Sequence, residues 1–212
     1  MKIKREIVTL METLRDAILI VATALLIFMI IFYIIIIKHD NYDIVKDLLY
    51  LTDKKDAISY MVTMYSLEMA PEKHLKQVLD AGYQIVISED LLRESYDIYQ
   101  DGLDIGYETM QGLTVHNEKR VYLKPQLETA SITVLHELGH ILDKCNGTVS
   151  STPEFKECCT EEKGLIRDYS KNNVSEYFAD IYSLSINRMN ILTYSREDFP
   201  KSIRFIESQP WW

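Results

Sequence analysis

This chain of 212 residues predicts an α+β fold, mostly helical with a small mixed sheet, behind an N-terminal transmembrane helix. Three observations carry that expectation. Ala17–Ile37 is one uncharged apolar run. Segments around 126–144 and 174–188 read as helices. Only Tyr83–Ile87 and Arg120–Lys124 read as strands.

The apolar run is AILIVATALLIFMIIFYIIII, 21 residues without charge, Pro or Gly. As a helix it is long enough to cross a hydrocarbon core of about 30 Å. A secretory leader has a shorter apolar stretch, about 7–15 residues, ending at small residues. Here bulky Tyr33–Ile37 runs directly into Lys38-His39-Asp40, so an uncleaved signal anchor is expected. Lys2, Lys4, Arg5 and Arg15 before the span, against Lys38 and Lys46 soon after it, favour a cytoplasmic N-terminus. The expected layout is a cytoplasmic tail and anchor at 1–38, a short helical stalk at 39–58, and one domain at 59–212. The protein would pass once through the cell membrane, meeting the lipid bilayer through residues 17–37, with the domain outside the cytoplasm.

Further along, helices are expected at 42–54, 57–67, 71–80, 126–144, 154–168, 174–188 and 199–208. Gly102–Gly112, with three glycines and several acids, reads as a loop. Residues 39–212 hold 18 Lys/Arg against 29 Asp/Glu, a net charge of −11. An acidic domain without basic clusters repels nucleic acid, so no nucleic-acid partner is expected. Cys145, Cys158 and Cys159 lack paired CxxC spacing, which argues against a structural zinc knuckle. Free, half-buried thiols are the default, and an extracytoplasmic location would permit a disulfide from Cys145 to Cys158 or Cys159.

The chemistry concentrates in His136-Glu137-Leu138-Gly139-His140. Residues four apart share a helix face, so His136 and His140 can hold one metal ion between them. Zinc lowers the pKa of a coordinated water toward neutrality, and Glu137 is placed to take its proton during attack on a carbonyl. Gly139 costs a helix about 1 kcal/mol relative to Ala, which points to close packing or function there. A third ligand is needed, and Glu176 is the candidate. Val174, Tyr177, Phe178, Ile181 and Leu184 follow the helical period, putting Glu176 near a helix start and Asp180 one turn later on the same face. Glu176 would complete a His2Glu zinc set with a fourth position open. Asp180 would accept a hydrogen bond from the free ring nitrogen of one histidine and fix its tautomer. Asn173 and Glu176 also have capping-box spacing, so a purely structural reading of Glu176 stands beside the ligand reading. His39, His74 and His116 read as loop histidines.

The segments 136–143, 168–170 and 175–180 resemble the catalytic domain of anthrax lethal factor and the Pro-Pro endopeptidases built on the same domain. Ala70–Ser88 resembles the opening helix and first strand of that zincin-like family, Gly112–Lys124 the strand before the active helix, and Phe199–Ile206 the closing helix. The resemblance implies a gluzincin-type zinc metalloendopeptidase. It implies His136, His140 and Glu176 as zinc ligands, Glu137 as general base, and Tyr169 as donor to the tetrahedral oxyanion. It also implies a peptide or protein substrate lying antiparallel along the Arg120–Lys124 strand. Asp180 departs from the family, which usually has Glu there, and so does the apolar anchor. Two rival readings stand beside this one: a cytosol-facing metallopeptidase that cleaves a repressor, and a catalytically inactive surface or toxin-like module.

Overall fold

Four short strands form one mixed sheet in the order β1-β2-β4-β3. β1 (Leu49–Leu51), β2 (Gln84–Ile87) and β4 (Arg120–Leu123) run parallel, and β3 (Gly112–Val115) lies antiparallel on the outer side of β4. The computed structural model describes residues 41–53, 56–102, 106–126, 130–187 and 195–212. The expected anchor at 17–37 and the tail before it lie outside these residues. Among the described residues, no helix is long and apolar enough to cross a membrane.

Successive side chains of a strand point to opposite faces, and this sheet is buried on both. Ile85, Ile87, Val121 and Leu123 enter the main core with Val134, Leu138, Phe155, Tyr177, Phe178 and Tyr182. Val86 and Tyr122 point the other way, into a smaller cluster with Leu92, Met110, Leu113 and Val115. That smaller cluster is roofed by α4 (Glu89–Tyr99), a helix where none was expected. Its start is conventional: the Ser88 hydroxyl accepts from Leu91 N, and Glu89 and Asp90 occupy the first turn.

The stalk expected at 39–58 needs correction over its described part. α1 (Tyr42–Leu48) ends at β1, and Val45, Leu48 and Leu49 are buried in the main core. Asn41 Nδ2 donates to Glu68 O (3.1 Å) and Ala70 O (2.8 Å), tying the start of α1 to the end of α2 (Ala57–Glu68). These residues belong to the compact unit Asp40–Trp212. The helix expected through residue 54 stops early because Leu49–Leu51 pairs with Ile85–Ile87.

α3 (Glu72–Asp80) precedes β2 and carries His74, which is fully buried and not in a loop. His74 Nε2 faces Trp211 O at 3.1 Å, so that nitrogen carries the proton. Nδ1 then accepts from the Tyr182 hydroxyl at 3.0 Å. α5 (Ala130–Cys145) and α8 (Val174–Ile186) pack against each other through the main core. A Cβ on Gly139 would lie 2.9 Å from Ala179 Cα, so the two helix backbones come as close as a glycine allows.

The helix expected at 154–168 divides. α6 (Pro153–Glu162) starts at the Thr152 cap with Pro in its first turn, and a 3-10 turn at Lys163–Leu165 follows. Glu162 is then free to cap α9 (Pro200–Glu207), accepting from Lys201 N (2.8 Å), Ser202 N (3.0 Å) and Ser202 Oγ (2.7 Å). The break redirects the chain, so that the single turn α7 (Asp168–Lys171) leads into α8. Cys145, Cys158 and Cys159 are all free thiols, and neither candidate disulfide forms.

Candidate active site

The motif helix α5 and the carboxylate helix α8, packed together, both line an open cleft of about 510 Å³. His136 Nε2 is 3.0 Å from Glu176 Oε2, and His140 Nε2 is 3.4 Å from Glu176 Oε1. The two Nε2 atoms are 3.1 Å apart. One donor atom from each residue lies within 4.8 Å of the others, a spread that one metal ion can bridge. Two imidazoles and a carboxylate form a borderline-soft N/O set that suits catalytic zinc.

The tautomer of His136 follows from its other nitrogen. Nδ1 is 2.8 Å from Asp180 Oδ1, and an ionised carboxylate only accepts, so Nδ1 carries a proton and Nε2 is the nitrogen turned toward the cleft. Asp180 is 2 % exposed and is held in turn by three more bonds. Arg167 Nε donates to Oδ2 at 2.8 Å, Arg167 Nη2 to Oδ1 at 2.6 Å, and Ser170 Oγ to Oδ2 at 2.5 Å. His140 Nδ1 lies 3.3 Å from Ser175 Oγ, which can accept its proton.

Burial disfavours charge on His136, Glu176 and Asp180, yet the pairing overrides it. Burial would lower His136, but hydrogen bonds to Asp180 and Glu176 outweigh it and raise its pKa to about 10. Burial would raise Glu176 and Asp180. The bonds from His136 and His140 hold Glu176 well below the usual carboxylate range, and His136 and Arg167 do the same for Asp180.

The two readings of Glu176 turn out to be separable. Asn173 Oδ1 alone caps α8, accepting from Ser175 N (3.0 Å) and Glu176 N (3.4 Å). The Glu176 side chain then turns to the histidines instead of closing a capping box. Glu137 is buried on the wall of the cleft, where Thr114 Oγ1 donates to its Oε2 at 2.5 Å. A Cβ on Gly112 would sit 2.8 Å from Glu137 Oε1, so the bare backbone of β3 gives that carboxylate its room. Tyr169 also lines the cleft. Burial, then the Glu176 carboxylate, push its pKa far above the ordinary phenol value, so it stays a hydrogen-bond donor at neutral pH.

The structure thus gathers all six of His136, Glu137, His140, Tyr169, Glu176 and Asp180. One expectation is corrected: Arg120–Lys124 does not border the cleft, because β2 and β3 occupy both edges of β4. The cleft is lined by Gly112–Thr114 of β3, which is the sheet's outer strand. Thr114, Arg167, Ser170 and Ser175 were missed. Their roles depend on contacts between separate elements, and no spacing in the sequence announces them. His116 also lines the cleft, and its Nδ1 is 2.8 Å from the Tyr83 hydroxyl.

Fold and site together describe an α+β domain with a His/His/Glu donor cluster in an open cleft. No protein-family model and no curated protein matches the chain. Among solved structures, it is similar to the Pro-Pro endopeptidase of Paenibacillus alvei, with a TM-score of 0.61 and 17 % identity. The alignment covers 77 % of this chain and 98 % of that one, so nearly all of that enzyme's fold recurs here.

Proposed function

We propose that this chain is a zinc-dependent endopeptidase, held at the membrane by residues 17–37 and acting outside the cytoplasm. The single observation that carries the catalytic part is the convergence of His136, His140 and Glu176 beside Glu137 and Tyr169 in one cleft. The fold shared with a protein named as an endopeptidase supports the same reading. The location rests on the sequence: an uncharged span with a basic N-terminal flank.

Zinc held by His136, His140 and Glu176 would supply Lewis acidity, drawing the pKa of water toward neutrality and polarising the scissile carbonyl. The chain's own residues do the rest. Glu137, aimed by Thr114, takes the proton from the attacking water and delivers it to the leaving amine, a contribution worth about 10²–10⁴ in rate. Tyr169 donates a hydrogen bond to the oxyanion that forms on the substrate carbonyl, a charge present only around the transition state. Asp180, fixed by Arg167 and Ser170, keeps the His136 lone pair turned into the cleft. The outer strand β3 offers backbone groups to an extended peptide.

The test is metal content and cleavage together. Purified full-length protein is expected to carry one zinc per chain and to cut members of a peptide library. Glu137→Gln should keep the zinc and lose the cleavage. A wild-type chain that binds no zinc, or binds it and cuts nothing, would instead support an inactive module. Protease added to intact cells should remove the domain. Protection until lysis would place it in the cytoplasm.

A further inference from the structure

Helix α2 turns an apolar face outward. Its buried positions are Ser59, Thr63, Met64, Ser66, Leu67 and Glu68, whereas its exposed ones are Ala57, Ile58, Met61 and Tyr65. Ile58 is 62 % exposed, Met61 40 % and Tyr65 43 %. At spacings of three and four residues these side chains form one stripe along the helix. A surface helix normally shows the opposite pattern, with its polar face to water. The inward hydroxyls are provided for locally: Ser66 Oγ donates to Val62 O at 2.8 Å. Tyr42 on α1 and Tyr50 on β1, elements that pack against α2, add two more exposed aromatic rings. An exposed apolar stripe of this kind is the usual signature of an interaction surface.

We propose that the exposed face of α2 rests on the lipid bilayer, at the level where headgroups meet acyl chains. The proposal rests on the membrane-anchored reading and extends it, from a tether to a surface. Two observations select lipid as the occupant. The 21-residue apolar run ends at Ile37, only five residues before Tyr42 in the sequence, so the chain enters α1 and then β1 and α2 soon after the predicted span. The stripe itself is uncharged and its aromatics are tyrosines, whose apolar rings and polar tips suit the interface. The domain's net negative charge provides no attraction to anionic lipid, so the contact is apolar and needs no anionic headgroup. A domain docked in this way has a fixed face toward the membrane and works on substrates close to it.

The experiment places the photo-crosslinker p-benzoylphenylalanine at Met61 in the full-length chain, reconstituted in phosphatidylcholine vesicles. The same probe at Leu165, which is also well exposed, serves as the control. The expected result is a lipid adduct at position 61 and none at 165, with the same contrast when Ile58 replaces Met61 as the labelled site. Protein that floats with the vesicles but forms no adduct at 58 or 61, or forms adducts equally at 165, overturns the docked face and leaves the anchor standing. A crosslink to a second chain at 61 overturns it in favour of a self-association surface. Protein that does not float with vesicles overturns the anchor and the docked face together, while the zinc chemistry stands or falls by its own assay.

Discussion

Removing the Asp180 carboxylate isolates what holds the candidate metal site in shape. In Asp180→Ala the His136 Nδ1–H and the Ser170 hydroxyl lose their acceptor inside the protein, where an unpaired polar group costs about 1–3 kcal/mol. Arg167 also loses its partner, but its side chain is 47 % exposed, so water replaces much of what is lost. With the ring no longer pinned, His136 can rotate or change tautomer. Loss of such an outer partner typically weakens metal binding about 10–100-fold. That range corresponds to about 1.4–2.7 kcal/mol. Zinc affinity is measured by competition with a chromophoric chelator, alongside kcat and KM at low and saturating zinc. The expected result is a weaker zinc Kd, with kcat recovering at saturating zinc. A zinc Kd within about twofold of wild type in a folded Asp180→Ala protein would refute the argument.

Other outcomes follow from the same geometry. Tyr169→Phe should lower kcat with little change in KM, because its hydrogen bond strengthens only as charge develops; wild-type kcat would remove Tyr169 from the chemistry. Gly139→Ala must push α5 and α8 apart, at a cost of about 1–3 kcal/mol, read as a fall in Tm; an unchanged Tm would contradict the close contact with Ala179. His74 is held neutral, its pKa lowered to about 4 chiefly by burial, with Lys73 adding to the effect. A histidine depressed in the folded state contributes stability above its unfolded pKa of about 6.5, and that contribution drains away as pH falls through the folded value. The unfolding free energy from urea titration should therefore drop between pH 6.5 and 4, by up to about 3 kcal/mol relative to His74→Gln. Parallel pH profiles for the two proteins would sink that assignment.

The site was largely readable in the sequence because its core obeys a helical rule. His136 and His140 are one turn apart, and Glu176 and Asp180 repeat that spacing on a helix with clear apolar periodicity. The supports were not readable. Thr114 reaches Glu137 from a strand that is defined only by pairing, and Arg167 reaches Asp180 because α6 breaks near Gly164. The sheet was read in part. Leu49-Tyr50-Leu51 is too short to show alternation and follows a helix-like stretch, so its strand character comes from its partner β2. The start of α4 is marked in the sequence by Ser88 as a cap with two acids after it.

The division of labour between Asn173 and Glu176 bears on how such a protein can change over time. The cap that starts α8 is supplied entirely by Asn173, while the residue three positions on is committed to the histidines. Losing Glu176 would therefore remove the proposed third ligand without unravelling the helix that carried it. The scaffold can outlive its chemistry. Duplicated copies that drift at this one position would keep their shape, their core and any surface they present to a partner. An intact fold in a relative is then a statement about ancestry, and does not by itself say that the histidine and carboxylate cluster is complete.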